Sequence, residues 1–514
     1  MENQHQSIAW PQLGLLLLAK FVLHFSTNGN YSYHRDELLY LELGNHPAFG
    51  HWSNGPLIGW ISWFVQHTLG DSPFMIRFLP MLLGGGLMIL AVWMARDMGG
   101  GKWAQFIAGL SILVSPMYLR ASTMFQPVIF DVFFWTIFTF LLVRFIQSQD
   151  KKYILAFGVA FGLSLLNKYT PAFYLLALII GLLLSSYRSL LWKKETGIAA
   201  GIALLIFTPN LLWQYAYNFP VIGHMETLSA TQLANINPIN FLLDQLLLNM
   251  PSIILLFGGL FFLFSQKGKN YRLLALLVVG VVLLFLITRG KSYYTAGIYP
   301  VLLAAGAVGW EHWAKALWVR IMIPFIMVAS IIPFAPLGVF VLPLDQMLTY
   351  GNWVKEEIGL DGPWRWEDGK IYDLPQDYAD MNGWQEIAAL ATTAYEKAEN
   401  PASTLLYAEN YGQAGAVNLY GKVKDLPHCN SFSDNFRLWI DPHFSPTAII
   451  YINDELGTDV ANLFEDIQLI GELRSPYARE NGAKVFLCQK GRGDVASFWQ
   501  ERVKLVNASW QTSE

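Results

Sequence analysis

The chain has 514 residues, 54% of them hydrophobic and only 14% charged, with a formal net charge of −4. A typical soluble domain carries about 25% charged residues, so a single water-soluble domain is excluded, and no nucleic-acid partner is expected. Residues 1–337 hold 20 Lys+Arg against 12 Asp+Glu, whereas 338–514 hold 14 against 26, which divides the chain into a mildly basic membrane body and an acidic tail.

A helix needs about 20 mostly apolar residues to cross the hydrocarbon core, and its backbone must be satisfied internally there. Eleven stretches qualify, at about 8–26, 76–95, 103–119, 127–146, 153–168, 170–187, 196–214, 250–266, 272–288, 293–310 and 319–338. The 196–250 region leaves room for another, so about 11–13 transmembrane helices are expected. The first stretch lacks a small-residue cleavage site and reads as a retained span. Of the 20 basic residues in this body, 13 fall in alternate connections, from Arg96 and Lys102 to Lys315 and Arg320. That side is expected to be cytoplasmic. The amino terminus is then cytoplasmic, and the 27–75 loop and the tail are extracytoplasmic. Two domains are expected: 1–340 transmembrane and 341–514 extracytoplasmic.

"YSYHRDELLYLELG" (31–44) follows the first span and presents His34, Arg35, Asp36, Glu37 and Glu42 together. A solvated loop carries such residues at no cost. A catalytic site at the membrane surface needs one of the carboxylates as a base. The amphipathic piece from Leu57 to Phe64 is expected to lie in the interface, and "LGGGLM" (83–88) reads as helix packing.

Lys20, Arg35, Arg77, Arg120, Lys168, Arg289 and Lys291 are not explained by topology. Snorkelling at helix ends is the plain reading of any one of them. Several share the outer level with Asp36 and Glu37, and together they suit an anionic ligand such as a lipid phosphate. In "MFQPVIFDVFFW", Asp131 is expected to face the bundle interior rather than lipid, five residues after Gln126. Asp36, Glu37 and Asp131 can together hold a divalent cation through oxygen ligands; the alternative is that Asp131 pairs with Arg120 or Lys168. No cofactor is certain beyond that candidate. "LLNKYTPAF" (165–173) and "RGKSYYTAGIYP" (289–300) break apolar runs with Lys168, Tyr169, Lys291, Tyr293 and Tyr294. Their tyrosines form either an interfacial belt or a stacking face for a sugar.

In the tail, 404–410, 448–454, 467–473 and 483–490 read as strands. Helical patterns at 384–398, 411–420 and 457–465 alternate with them, predicting a small α/β domain with a partly parallel sheet. "YAENYGQAGAVNLYG" (407–421) lacks the full Gly-x-Gly-x-x-Gly pattern of a dinucleotide site. Cys429 and Cys488 stay open between a disulfide and two buried thiols.

These motifs, in this order, resemble bacterial membrane glycosyltransferases related to the protein O-mannosyltransferases and the lipid A aminoarabinose transferase. The resemblance spans the chain and rests on "HRDELLYLELG", "TMFQPVIFDVFFW", "LLNKYTPAF", "TPNLLWQYAYNFPVIGHM" and "GKSYYTAGIYPVLLAAGAVGWE". It implies the C-type glycosyltransferase fold and a polyprenyl-phosphate-linked sugar donor. The acceptor would be an envelope glycan, lipid or protein. Asp36, with Glu37, would be catalytic; Lys168, Lys291, Arg120 and Tyr294 would bind the donor phosphate. His51, Tyr169, Tyr293 and Gln126 would line the acceptor or sugar pocket, and Asp36 and Asp131 would hold any metal. A departure is Ser53-Asn54-Gly55-Pro56, where relatives often carry His-Pro-Pro. A transporter or flippase of lipid-linked sugars is the alternative, and an inactive envelope scaffold a third reading.

Overall fold

The structure is a computed structural model that describes residues 6–421 and 423–511. Each of the eleven apolar stretches contains helix. Five of these helices are long and apolar enough to cross a membrane: Pro73–Asp97, Pro127–Ser148, Lys194–Ala216, Lys269–Ile287 and Leu317–Gly338. Pro238–Leu247 and Met250–Phe264 make a sixth candidate, a pair bent by 72° at the intervening break. Lys152–Leu165 and Pro171–Leu183 are apolar but shorter. Proline sets where several helices begin: Pro127 and Pro171 occupy first turns, where a missing N–H costs nothing.

Several polar residues inside this body are paired rather than solvated. Lys20 does not snorkel. It is fully buried in helix Trp10–Thr27, with Nζ 3.1 Å from both His24 Nε2 and Ser122 Oγ. The 83–88 glycines pack closely, Gly84 against Lys20 and Ser122, Gly85 against Phe21 and Gly86 against Phe133.

The first loop holds two helices, Arg35–Asn45 and the interfacial-type Leu57–Thr68. Beyond the last apolar helix, the chain from Val339 to Asp380 folds back over this loop. Tyr31 donates its hydroxyl to Leu342 O at 2.8 Å, and its ring meets Phe340 and Tyr378.

The tail forms a four-stranded sheet of β1 (Thr404–Ala408), β2 (Ala448–Asn453), β3 (Phe464–Glu472) and β4 (Lys484–Gly491). Its order is β1-β2-β4-β3, with β1 and β2 parallel and the other two pairings antiparallel. Helices Trp384–Glu396 and Tyr411–Tyr420 cover the face turned toward the membrane body, and Val495–Gln511 follows β4. The helix expected at 457–465 is only Thr458–Ala461. Phe464 already pairs with Gly491, so β3 starts earlier than the alternation alone suggests. Cys429 and Cys488 are free and buried, in separate apolar clusters. The larger cluster is continuous from Leu13 and Leu87, through Leu38, to Trp384, Ile450 and Leu487. The tail therefore shares a core with the membrane body and is not a loosely tethered cap.

Candidate functional site

The HRDE stretch builds its own helix start. His34 is the N-cap of Arg35–Asn45; its Nδ1 accepts from Asp36 N at 3.1 Å, and Glu37 Oε2 accepts from His34 N at 2.9 Å. This reciprocal arrangement is a capping box with histidine in place of the usual hydroxyl. It separates the adjacent acids. Glu37 turns inward and Asp36 stays part-exposed.

Glu37 is fully buried. Arg77 grips it bidentately, Nε to Oε1 at 3.0 Å and Nη2 to Oε2 at 2.7 Å, and Phe125 N donates to Oε1 at 2.9 Å. Arg77 also donates to the carbonyls of Asn28, Tyr31 and Ser32. A buried pair survives only when its remaining polar capacity is met in this way. No oxygen of Glu37 is open to a substrate, contrary to a direct catalytic part for it.

Asp36 keeps an open edge. Oδ1 accepts from the Tyr411 hydroxyl at 2.8 Å, and Oδ2 from Gln126 Nε2 at 3.3 Å. Gln126 is the N-cap of Pro127–Ser148, so the second motif delivers its amide to the first. Tyr411 opens the tail helix Tyr411–Tyr420, which seats on Arg35–Asn45 through two glycines. A Cβ on Gly412 would come within 2.7 Å of Arg35 Cγ, and one on Gly415 within 3.1 Å of Leu38 Cβ. The glycine-rich tail motif thus serves close helix contact. The Arg35 guanidinium lies 4.6 Å from the centre of the Tyr411 ring.

Facing this carboxylate is the second group of expected residues. Lys168 Nζ lies 5.5 and 4.8 Å from the ring centres of Tyr293 and Tyr294. Among the described residues no carboxylate lies within ion-pair distance of Lys168. Lys291 has a single loose partner, Glu367 at 3.5 Å. Tyr293 is within electrostatic reach of Asp36, and Lys168 within reach of Lys291. The structure therefore gathers Asp36, Gln126, Tyr293, Tyr294, Lys168 and Lys291 around one region.

Other expected residues stand apart. Arg120 is bound by Asp377, with Nη2 at 2.5 Å and Nε at 2.9 Å, and packs on Phe340. Its charge is already met. His51 is buried beneath the tail, with Nδ1 3.1 Å from Asn435 Nδ2, and burial pushes its pKa down to about 3. Tyr169 donates to Asn210 at 3.0 Å and accepts from Gln214 at 3.2 Å. Asp131 accepts from Thr170 at 2.8 Å. Among the described residues, Asp36 and Asp131 do not join a metal-type cluster of three ligands.

Sequence reasoning missed the ionic frame behind the site. His34 Nε2 lies 3.6 Å from both Asp377 and Asp380. Arg479 then joins Asp380 at 3.2 Å to Glu367 at 3.8 Å, and Glu367 leads to Lys291. Despite desolvation, Arg120 and His34 hold the Asp377 carboxyl well below the ordinary carboxylate range. No local pattern marks these acids, because each meets its partner across a long sequence separation.

Residues 46–213 match the family described as dolichyl-phosphate-mannose-protein mannosyltransferase. A comparison with curated protein sequences finds no match. Among solved structures, ArnT from Cupriavidus metallidurans bound to undecaprenyl phosphate is similar with a TM-score of 0.65 and 13% identity, over 94% of this chain and 98% of that one. The same protein in its apo state gives 0.66 and 13% identity, over 96% and 99%. The archaeal oligosaccharyltransferase AglB from Archaeoglobus fulgidus, in complex with an inhibitory peptide and a dolichol-phosphate, gives 0.51 and 10% identity, over 88% and 70%. The chain has the C-type glycosyltransferase fold of these proteins and is a multi-pass membrane protein.

Proposed function

Starting from the fold shared with these lipid-phosphate-binding transferases, we propose that this chain moves a sugar from a polyprenyl-phosphate donor to a hydroxyl of an envelope acceptor. The reaction takes place on the extracytoplasmic side of a bacterial inner membrane. The observation that carries this reading is the gathering of one part-exposed carboxylate, Asp36, with Tyr293, Tyr294 and two lysines, of which Lys168 has no ion pair among the described residues and Lys291 only the loose one to Glu367.

Each part has a task. The acceptor oxygen attacks the anomeric carbon as the bond to the phosphate oxygen breaks. Asp36 takes the acceptor proton; a positioned base of this kind supplies roughly 10²–10⁴-fold. Lys168 and Lys291 meet the charge left on the departing lipid phosphate, a charge best stabilised by groups already in place. Tyr293 and Tyr294 hold Lys168 on their faces and line the place of the sugar. Attack opposite the phosphate inverts the anomeric centre. Tyr411 and Gln126 fix the direction of the Asp36 carboxylate, and Glu37 with Arg77 fixes the helix that carries it.

The test is mass spectrometry of envelope glycans and lipids from cells with and without the protein. Transfer is then reconstituted with the purified chain in detergent and a defined polyprenyl-phosphate sugar. A sugar-sized mass difference that the purified chain reproduces supports the reading. An unchanged envelope and no transfer to any envelope fraction rejects it.

A further inference from the structure

A second cluster sits at the other end of the helix that carries Asp36. Glu42 and His46 lie one turn apart on Arg35–Asn45 and its C-cap, and His428 reaches them from the tail. The Glu42 side chain is only 5% exposed, an unusual place for a carboxylate unless it is bound. Its Oε2 lies 3.0 Å from His428 Nε2 and 3.9 Å from His46 Nδ1. One ligand atom from each residue falls within 4.8 Å of the others. Zinc ligands at about 2.0–2.1 Å sit roughly 3.3 Å from one another around the ion, so small side-chain shifts suffice.

The surroundings fit an ion as well. Asn45 Nδ2 donates to the second Glu42 oxygen at 3.2 Å, and Trp439 stacks on the His46 ring at 4.1 Å and 17°. Such outer partners fix the orientation of ligating groups. His46 Nδ1 also faces the Glu42 carbonyl at 3.2 Å and His428 Nε2 faces Asn418 at 2.9 Å, contacts that a metal would replace. Three protein ligands leave a fourth position. His46 and His428 also line a cleft of about 300 Å³ together with Trp439 and Asp441.

We propose that Glu42, His46 and His428 form a transition-metal site, with zinc the ion best suited to two imidazoles and one carboxylate. The ion clasps the tail to the Arg35–Asn45 helix, on which Asp36 lies about 9 Å away at 1.5 Å per residue. Tyr411 grips the first turn of that helix and the metal grips its last. The site is independent of whether the chain transfers sugar.

The full chain, with any polyhistidine tag removed and metal stripped by chelator, is titrated with Co²⁺ in detergent and followed by visible absorption. One equivalent should bind and be displaced by Zn²⁺. Glu42→Gln and His428→Asn should each weaken binding at least tenfold, whereas His443→Asn, an exposed histidine of the same tail, should not. Thermal unfolding in chelator checks that each variant folds; His46→Asn, on a half-exposed ring, replaces any that does not. Wild-type protein without stoichiometric binding overturns the proposal. Undiminished binding by the folded ligand variants overturns it equally.

Discussion

The Tyr411 hydroxyl donates to Asp36 Oδ1 at 2.8 Å, across 375 positions of sequence. The tail therefore takes part in the geometry of the first-loop carboxylate. Asp36→Asn keeps the shape and one accepting oxygen but removes the charge and the basicity. Turnover should fall by roughly 10²-fold or more, with donor binding unchanged. Tyr411→Phe removes one orienting hydrogen bond, worth about 1 kcal/mol, and should cost about fivefold in turnover. Transfer and donor binding, measured separately in detergent, check both. An Asp36→Asn enzyme with wild-type turnover would remove Asp36 from the mechanism.

Lys168→Ala and Lys291→Ala each remove a cation expected to meet the lipid phosphate. A charge-assisted contact is worth roughly 1.5–3 kcal/mol, so donor affinity should drop tenfold or more while thermal stability stays near wild type. Titration with a fluorescent polyprenyl phosphate measures this. Arg120→Met, by contrast, should leave donor affinity unchanged, since Asp377 already holds that guanidinium.

Glu37→Gln should act on folding, not on chemistry. It leaves the Arg77 charge buried without its partner, a change that costs about 3–5 kcal/mol. The expected result is a large loss of melting temperature and of yield in detergent. A stable Glu37→Gln protein with lowered turnover would move Glu37 back into the catalytic set.

Asp377 gives a pH dependence. Its folded pKa is depressed, so the stabilisation is complete above the unfolded value of about 3.9 and fades as pH falls below it. Since the side chain is 43% exposed, its share is small, about 1 kcal/mol. Asp377→Asn should therefore lower the melting temperature slightly at pH 7, and the gap to wild type should close in acid.

Topology is checked with a phosphatase reporter fused after residue 345. Activity is expected if the tail is extracytoplasmic. A silent fusion, with a cytoplasmic reporter active at the same point, would reverse the orientation.

Much of this arrangement was legible in the sequence. Apolar runs located helix in each of the eleven stretches, because a bilayer admits few alternatives, but not Arg35–Asn45, Pro220–Thr231 or Pro238–Leu247, and short buried runs marked all four strands of the tail. The cluster of Asp36, Gln126, Lys168 and Lys291 was legible as separate motifs at one membrane level. What could not be read was direction. Asp36 and Glu37 are neighbours of one type, and only the capping box decides that one faces the cleft and the other Arg77. Lys20 and Arg120 look like free cations until buried His24 and the distant Asp377 are placed beside them. Tyr411 carried no signal, since its role depends on two glycines allowing one helix to lie against another.

The continuous core has a consequence for how the protein is made. Asp36 leaves the ribosome among the first residues, yet the tyrosine that orients it is synthesised 375 residues later. At about 5–20 residues per second, the first loop waits on the order of tens of seconds for its partner. During that interval the membrane body can insert, but the carboxylate is not yet aimed. A chain that stops before Tyr411 therefore lacks the hydroxyl that meets Asp36, and its first-loop carboxylate keeps only the Gln126 contact.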